Sequence, residues 1–463
     1  MKPLRVEDNS LHNREKFSEI PNLIRKIENK TLKQLERDGI FVFPDIIDDT
    51  EDLAHDQMIL RKWNNSYWTG NVMGFLGCGD ERLVIESRFG GNNGNDFFFL
   101  YMIDRVLDSP SIVSLETDAD QDQRLFHFLL FLFPYYLRTA MRKGLFKKYI
   151  CHRYNDGNVA GTIDIDRHIE LNTPFVGNIA YNQRGFSYDN HLTELVRHTI
   201  EFIRKKPYGT RVLSKAREET IQIVSATPTY VLYDRKKIIA VNKKNPVRHA
   251  YFREYRNLQR LCILILQHEK HRIGSGSRQI FGVLFDGAWL WEEYINTLIA
   301  HWFHHPMNRS RQGAQQLFSG TGKTGLIYPD FISRNHETRV VADAKYKPTD
   351  NISSKDYQQV LAYMFRFDAK TGYYLYPEPN MGNKDIVLKL NKGTTFENNV
   401  QSRDNVRVIK HGLKIPVHTK TYKDFVDEIT LSEQDFTEIF SNVAGHNSVP
   451  HPYKLKQEGV QNA

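Results

Sequence analysis

The chain has 463 residues, enough for two or three domains. Hydrophobic residues make up 40% and charged residues 25%, the balance of a globular protein, and this excludes a collagen-like or wholly disordered chain. A net charge of +8 and a pI near 9.0 suit a polyanionic partner without requiring one. Cys78, Cys151 and Cys262 lie far apart and form no Cys-x-x-Cys pair. That argues against a zinc ribbon or a disulfide framework and suits a reducing, cytoplasmic setting.

The start, MKPLRVEDNS, is charged and lacks the apolar core of a signal peptide. TLKQLERDGIFVFPDII reads as a short helix followed by a strand. RFGGNNGNDFFFLYMIDRVL holds a glycine- and asparagine-rich turn before an apolar run, without the glycine spacing of a phosphate-binding fingerprint. LFHFLLFLFPYYL, from Leu125 to Leu137, is too short to span a bilayer and carries Pro134, so it reads as a buried helix. The alternation in Gly161-Thr-Ile-Asp-Ile-Asp suggests a strand. In YDNHLTELVRHTIEFIRKK a helix starts at Asp189 or Asn190, with Leu192, Leu195, Val196 and Ile200 on one face. Arg235 to Arg260 is basic, with Tyr251, Phe252 and Tyr255 interleaved. Such a segment either contacts phosphates with stacking aromatics or is a solvated face whose aromatics pack inward; the second reading is favoured. HRIGSGSRQ reads as a loop before a new unit.

Beyond that loop, FGVLFDGAWLWEEYINTLIAHWF reads as one amphipathic helix carrying Glu292 and Glu293, with Asp286 a candidate N-cap. GLIYPDFISRNHETRVVADAKYKP reads as two antiparallel strands, Leu326 to Ser333 and Arg339 to Tyr346, joined by a polar turn around residues 335–337. Side chains alternate along a strand, so Asp343 and Lys345 share a face. A turn centred between His336 and Glu337 sets Asp330 across from Asp343. Two aspartates within apolar strands need a reason, because strand interiors deplete this residue. A divalent cation supplies one. Asp330, Asp343, the Ala344 carbonyl and Glu292 offer the hard oxygens that Mg²⁺ prefers, with Mn²⁺ as a substitute. Lys345 can orient or deprotonate a water, or neutralise developing charge. The bland alternative is a pair of strand-end acids salt-bridged to a lysine.

Pro329-Asp330 followed by Asp343-Ala-Lys345 resembles the PD-(D/E)xK nuclease signature, and Gln359-Val-Leu-Ala-Tyr363 resembles the Gln-x-x-x-Tyr element of RecB-like members. FDGAWLWEEYI, YPDFI and VADAKYKP, with GTIDIDRHI and the helix after it upstream, are together similar to the McrC family over roughly residues 80 to 380. This resemblance implies an α/β fold: an α+β N-terminal region, then a restriction-endonuclease-like domain with a mixed central sheet flanked by helices. The expected domains are a partner-docking and DNA-associated region over 1–275, with an internal break near 115–120, a nuclease domain over 276–445 and a tail over 446–463. The implied function is the endonuclease subunit of an McrBC-like restriction system. It would hydrolyse modified, for instance methylcytosine-bearing, double-stranded DNA with Mg²⁺, driven by an McrB-like AAA+ GTPase ring, with nuclease subunits pairing on DNA and no membrane involved. Asp330 and Asp343 would hold metal with Ala344, Lys345 would be the catalytic lysine, and Glu292 an auxiliary acid with Glu293 the fallback. Gln359, Tyr363, Lys347 and Lys323 would support the site or touch DNA. A stand-alone repair nuclease and a non-cutting adaptor that stimulates an NTPase ring remain alternatives.

Gly-Thr-Gly-Lys-Thr, at 320–324, looks like the end of a P-loop, but Leu317 occupies the position where the earlier glycine belongs. The residues that follow read as a strand, which provides no helix N-terminus for phosphate. The expectation is therefore that this chain binds no nucleotide. His301, His304 and His305 read as ordinary residues at a helix end.

Overall fold

The computed structural model describes residues 3–43, 57–91, 96–106, 121–271, 280–306, 313–320, 324–380, 382, 384–392 and 401–441. The chain forms two compact units: Met1–Val113 with Arg278–Ala463, and Ser114–Ser277. The architecture is mixed α/β. No helix among the described residues is long and apolar enough to cross a membrane.

The first unit contains two large sheets. One has five strands, in the order Leu4–Glu7, Glu81–Glu86, Val72–Cys78, Ile280–Asp286 and Phe41–Phe43. Leu76 and Leu284 of this sheet share a buried cluster with Leu23, Leu35 and Ile40 from the helices Pro21–Ile27 and Leu32–Arg37 and the turn after them. The strand Ile280–Asp286 pairs antiparallel with Val72–Cys78 and parallel with Phe41–Phe43. This corrects two expectations. The run FGVLFD is strand rather than the first turns of a helix: its described residues are buried, and a continuous apolar run buried on both faces carries no period to distinguish it. Residues 1–113 also group with the chain beyond 278 instead of with the rest of 1–275, because that strand completes their sheet. Gly74 lies where Ile280–Asp286 crosses, with φ +139°, and a Cβ there would stand 2.1 Å from the Val283 carbonyl oxygen.

The second sheet has six strands, in the order Phe303–His304, Phe331–Ser333, Val340–Ala344, Thr371–Glu378, Gln401–Lys414 and Ile386–Lys392. Val340–Ala344, Thr371–Glu378 and Gln401–Lys414 run parallel, and antiparallel strands complete the sheet at both edges. The helix Ser354–Arg366 covers one face, where Val360 and Tyr363 cluster with Val341 and Tyr374. The helix Tyr422–Ser441 covers the other, where Phe440 packs 5.4 Å from Tyr373, ring to ring. Tyr373 and Tyr374 thus face opposite ways, as the pleat requires. The helix Gly287–Ile299 is N-capped by Asp286, which accepts from the Trp289 N–H at 3.0 Å. Trp291, fully buried, donates from Nε1 to the Leu375 carbonyl at 3.0 Å and ties this helix to the sheet.

The second unit combines helices with a three-stranded sheet in which Lys148–Asp156 pairs antiparallel with Ile179–Ser187 over nine residues each. The helix Gln121–Met141 buries most of its described side chains, Leu129 to Phe133, Tyr136 and Leu137 among them. The helix His191–Arg204 starts at Asn190, whose side chain accepts from Leu192 and Thr193. In the segment expected to be a strand, only Thr162–Ile163 pairs; Asp164 then caps the helix Ile165–Leu171. The Asp side chain, which accepts from the Arg167 N–H, stops the strand there.

Candidate active site

The site forms where the Phe331–Ser333 and Val340–Ala344 strands meet. Phe331 pairs with Ala342 and Ile332 with Val341, which is the register expected from the sequence. Extended by one residue, it brings Asp330 opposite Asp343. Asp330 is partly buried and its Oδ2 accepts the Ala344 N–H at 2.9 Å. Asp343 is fully buried. Its Oδ2 lies 2.6 Å from Lys345 Nζ, and neither carboxylate oxygen accepts a well-aligned hydrogen bond. Burial raises the Asp343 carboxyl above its ordinary range, and Lys345 only partly offsets this. Asp330 is raised well above that range by burial, then by the charges of Glu292 and Asp343. Burial works against the Lys345 ammonium, but Asp343 and Asp330 outweigh it and hold the proton more tightly than usual. The lysine is therefore a cation here, not a free base.

The helix Ser354–Arg366 supports this lysine. Lys345 Nζ donates to Gln359 Oε1 at 3.3 Å. Gln359 Nε2 donates to the Tyr363 hydroxyl at 2.5 Å, and that hydroxyl donates to the Tyr328 carbonyl at 2.8 Å. The i, i+4 spacing on one helix face thus links Lys345 to the chain leading into Asp330. Lys347 is engaged by Asp356, Nζ to Oδ2 at 2.6 Å. Asp356 also accepts from Ser353 as part of a capping box and stands 3.9 Å from Lys345 Nζ. Lys323 lies outside the described residues.

Glu292 and Glu293 separate in role. Glu292 bears on Asp330 through its charge, and Glu293 accepts from Trp289 Nε1 at 3.2 Å. His305, read from the sequence as part of a helix end, follows the short edge strand Phe303–His304 instead. Its Nε2 lies 3.7 Å from Glu292 and 3.8 Å from Glu293, and its Nδ1 donates to the Asp330 carbonyl at 2.8 Å. Burial disfavours the imidazolium, but the Glu293 hydrogen bond, the Asp330 carbonyl and the two glutamates together raise its pKa. His305 and Asp356 carried no legible signal: each reaches the site through tertiary pairing.

A further support comes from the five-stranded sheet. Tyr346, directly after Lys345, places its hydroxyl 2.6 Å from Ser87 Oγ. Arg88 lies 4.7 Å over the Tyr346 ring, donates to the Tyr346 carbonyl, and pairs with buried Asp8 at 3.0 Å. Burial pushes the Asp8 carboxyl up to about 6 in spite of Arg88, so desolvation outweighs the attraction in this pair. A Cβ on Gly287 would stand 2.9 Å from the Tyr346 ring, which is why the helix carrying Glu292 begins on glycine.

Gln315–Gln316 pairs antiparallel with Leu326–Ile327, and Leu317 N–H donates to the Gly325 carbonyl at 3.0 Å; Thr321, Gly322 and Lys323 of the glycine-rich stretch lie outside the described residues. The single strand expected over Leu326 to Ser333 is two, Leu326–Ile327 and Phe331–Ser333, in different sheets, and Asp330 stands between them just before the second.

Residues 68–377 match the model of a family described as McrBC 5-methylcytosine restriction system component. The chain belongs to this family. The McrBC match spans Ser87, Arg88, the acidic pair, Lys345 and Tyr363. No curated protein matches the chain. Among solved structures it is similar to a half-complex from a tetradecameric assembly of Thermococcus gammatolerans McrB AAA+ hexamers with bound McrC, at 15% identity over 96% of this chain and 100% of that one, TM-score 0.47. It is also similar to a chain of the cryo-EM McrBC complex from the same organism, at 15% identity over 65% and 87%, TM-score 0.32. Among the described residues, no group of three or more His, Cys, Asp or Glu side chains is arranged to hold a metal ion.

Proposed function

We propose that this McrBC component is the DNA-cleaving subunit of its restriction system, a Mg²⁺-dependent endonuclease of the PD-(D/E)xK type. The observation that carries this is the convergence of Asp330, Asp343 and Lys345 at a buried strand end, with Asp343 Oδ1 lacking a donor. One buried and one partly buried carboxyl, with an orphaned oxygen, fit a hard divalent cation, which relieves their repulsion. Asp330, Asp343 and the Ala344 carbonyl would hold it, with Glu292 nearby. When bound, such an ion lowers the pKa of water and stabilises charge on phosphate.

The chain's own groups supply the rest. Lys345, kept protonated by the aspartates, offers positive charge where the phosphorane develops. Gln359 and Tyr363 fix its ammonium, and Arg88 and Ser87 fix the strand end that bears it. Lys347 and Lys323 are candidate contacts to the DNA backbone. A component of a multi-part system acts with partners, and the McrC-like motifs point to an AAA+ GTPase ring that delivers modified double-stranded DNA. The test is plasmid cleavage by the chain with its neighbouring NTPase, nucleotide and Mg²⁺, comparing methylated with unmethylated DNA. Cutting that needs no partner would favour a stand-alone nuclease; stimulation of the NTPase without cutting would favour an adaptor.

A further inference from the structure

The second unit holds a cleft of about 810 Å³ between the base of the Lys148–Asp156 and Ile179–Ser187 hairpin and the segment 241–259. Lys147, Lys148 and Arg248 line it, and no aspartate or glutamate does. Lys143 at the rim is compensated by Glu254 at 2.9 Å, whereas Lys148 and Arg248 make no ion pair among the described residues. Three aromatic side chains stand open beside these cations. Tyr149 is 61% exposed, Phe186 56% and Tyr251 55%, although side chains of this kind are ordinarily drawn inward. Tyr149 and Phe186 face each other across the hairpin with ring centroids 3.8 Å apart, and Lys147 Nζ lies 5.0 Å over Phe186. The basic segment thus divides: Phe252 and Tyr255 pack inward as the sequence suggested, and Tyr251 does not.

The floor of the cleft is polar but spent on the fold. Gln259 accepts from Val247 N at 2.9 Å and donates to Asn242 Oδ1 at 2.8 Å, and Asn242 donates to the His191 carbonyl at 2.7 Å. With those amides occupied, recognition rests on the uncompensated cations and on the exposed part of the Tyr149–Phe186 pair; Lys147 Nζ lies over Phe186, and Lys143 Nζ lies 5.3 Å over Tyr251. Cations contact phosphates, and aromatic rings stack on bases of any sequence. A duplex cannot offer an unstacked base to Tyr149 or Phe186, and a cleft within the range of small-ligand pockets, roughly 300–1,000 Å³, admits a short strand segment and not a helix.

We infer that this cleft binds single-stranded nucleic acid without sequence preference. The site lies wholly within the second unit and does not rest on the nuclease reading.

The experiment is fluorescence anisotropy of a labelled oligothymidylate, and of a duplex of equal length, titrated with the full-length chain in EDTA at two salt concentrations. The wild type binds the single strand more tightly than the duplex. The double charge reversal Lys148→Glu with Arg248→Glu removes two phosphate contacts and flattens the slope of log affinity against log salt by about 1.4, at about 0.7 per contact on single strands. Tyr149→Ala with Phe186→Ala weakens single-strand binding by about tenfold or more and leaves the salt slope unchanged, since stacking is uncharged. Tyr251→Ala, exposed and outside the hairpin, gives a smaller loss of the same kind and serves if the hairpin variants fail to fold, which circular dichroism reads. Unchanged affinity and slope in the charge-reversed variant overturn the proposal. So does loss of NTPase-partner binding in that variant while oligonucleotide binding persists, which would make the cleft a protein-docking surface. Binding in EDTA is read without cleavage, so failure here is distinct from failure of the nuclease assignment.

Discussion

Replacing Asp330 by asparagine should make the metal-free protein more stable while destroying its proposed function. The carboxyl is held above its ordinary range by burial and by Glu292 and Asp343, so its ionised form is a net cost to the fold. Asparagine keeps an oxygen for the Ala344 N–H, so the hydrogen bond, worth about 1 kcal/mol, survives. Relief of an active-site charge of this kind commonly gains about 0.5–2 kcal/mol. The sign follows from linkage. A carboxyl raised in the folded state contributes stability below its unfolded pKa, near 4, and loses it as pH rises through the folded value. The advantage of Asp330→Asn should therefore be absent in acid and grow toward neutral and alkaline pH. Mg²⁺ should reverse the order. At about a hundredfold over its Kd it stabilises the wild type by about 2.7 kcal/mol and the variant by much less. All five tryptophans, Trp63, Trp68, Trp289, Trp291 and Trp302, lie in the first unit, so tryptophan fluorescence during heating follows that unit alone. For a unit of this size each kcal/mol moves Tm by about 2–4 °C. A variant less stable than wild type in EDTA at alkaline pH, or an equal response of both proteins to Mg²⁺, would refute the reasoning.

Asp8→Ala leaves the Arg88 guanidinium buried without its carboxylate and should cost about 3–5 kcal/mol in urea unfolding followed by tryptophan fluorescence; a loss below about 1 kcal/mol would contradict the pairing. Asp96 is pushed up to about 7, chiefly by burial and against the pull of the Phe99 and Ser87 N–H groups. Wild-type stability should thus fall by up to roughly 4 kcal/mol between about pH 4 and pH 8 on its account, and the gap to Asp96→Ala should narrow with rising pH; parallel pH curves would exclude it. Gln359→Ala frees Lys345 and should lower the cleavage rate about a hundredfold with little change in DNA affinity, read as kcat against KM.

The site's local half was legible in the sequence. Alternation and a polar turn at 335–337 set the register that joins Asp330 to Asp343, and the Gln-x-x-x-Tyr spacing paired Gln359 with Tyr363. These signals are short-range, and the structure follows them. The half that depends on distant pairing was hidden. Ile280–Asp286 is apolar throughout, so nothing in its period separates strand from helix until it meets Val72–Cys78. Arg88 and Tyr346 are 258 positions apart, and neither has a feature that names the other. Gly161 to Asp166 shows the opposite failure, since its alternation is real but Asp164 caps a helix inside it. His305 was set aside for want of a nearby acid in sequence, and the fold supplies two.

The most direct measurement of the central claim is Mg²⁺-dependent cleavage of methylated plasmid by wild type and Asp343→Ala, each with the neighbouring NTPase and its nucleotide. The account predicts cutting by wild type only, with partner binding and oligonucleotide binding intact in the variant. Equal cutting by Asp343→Ala would place the active site elsewhere in the chain.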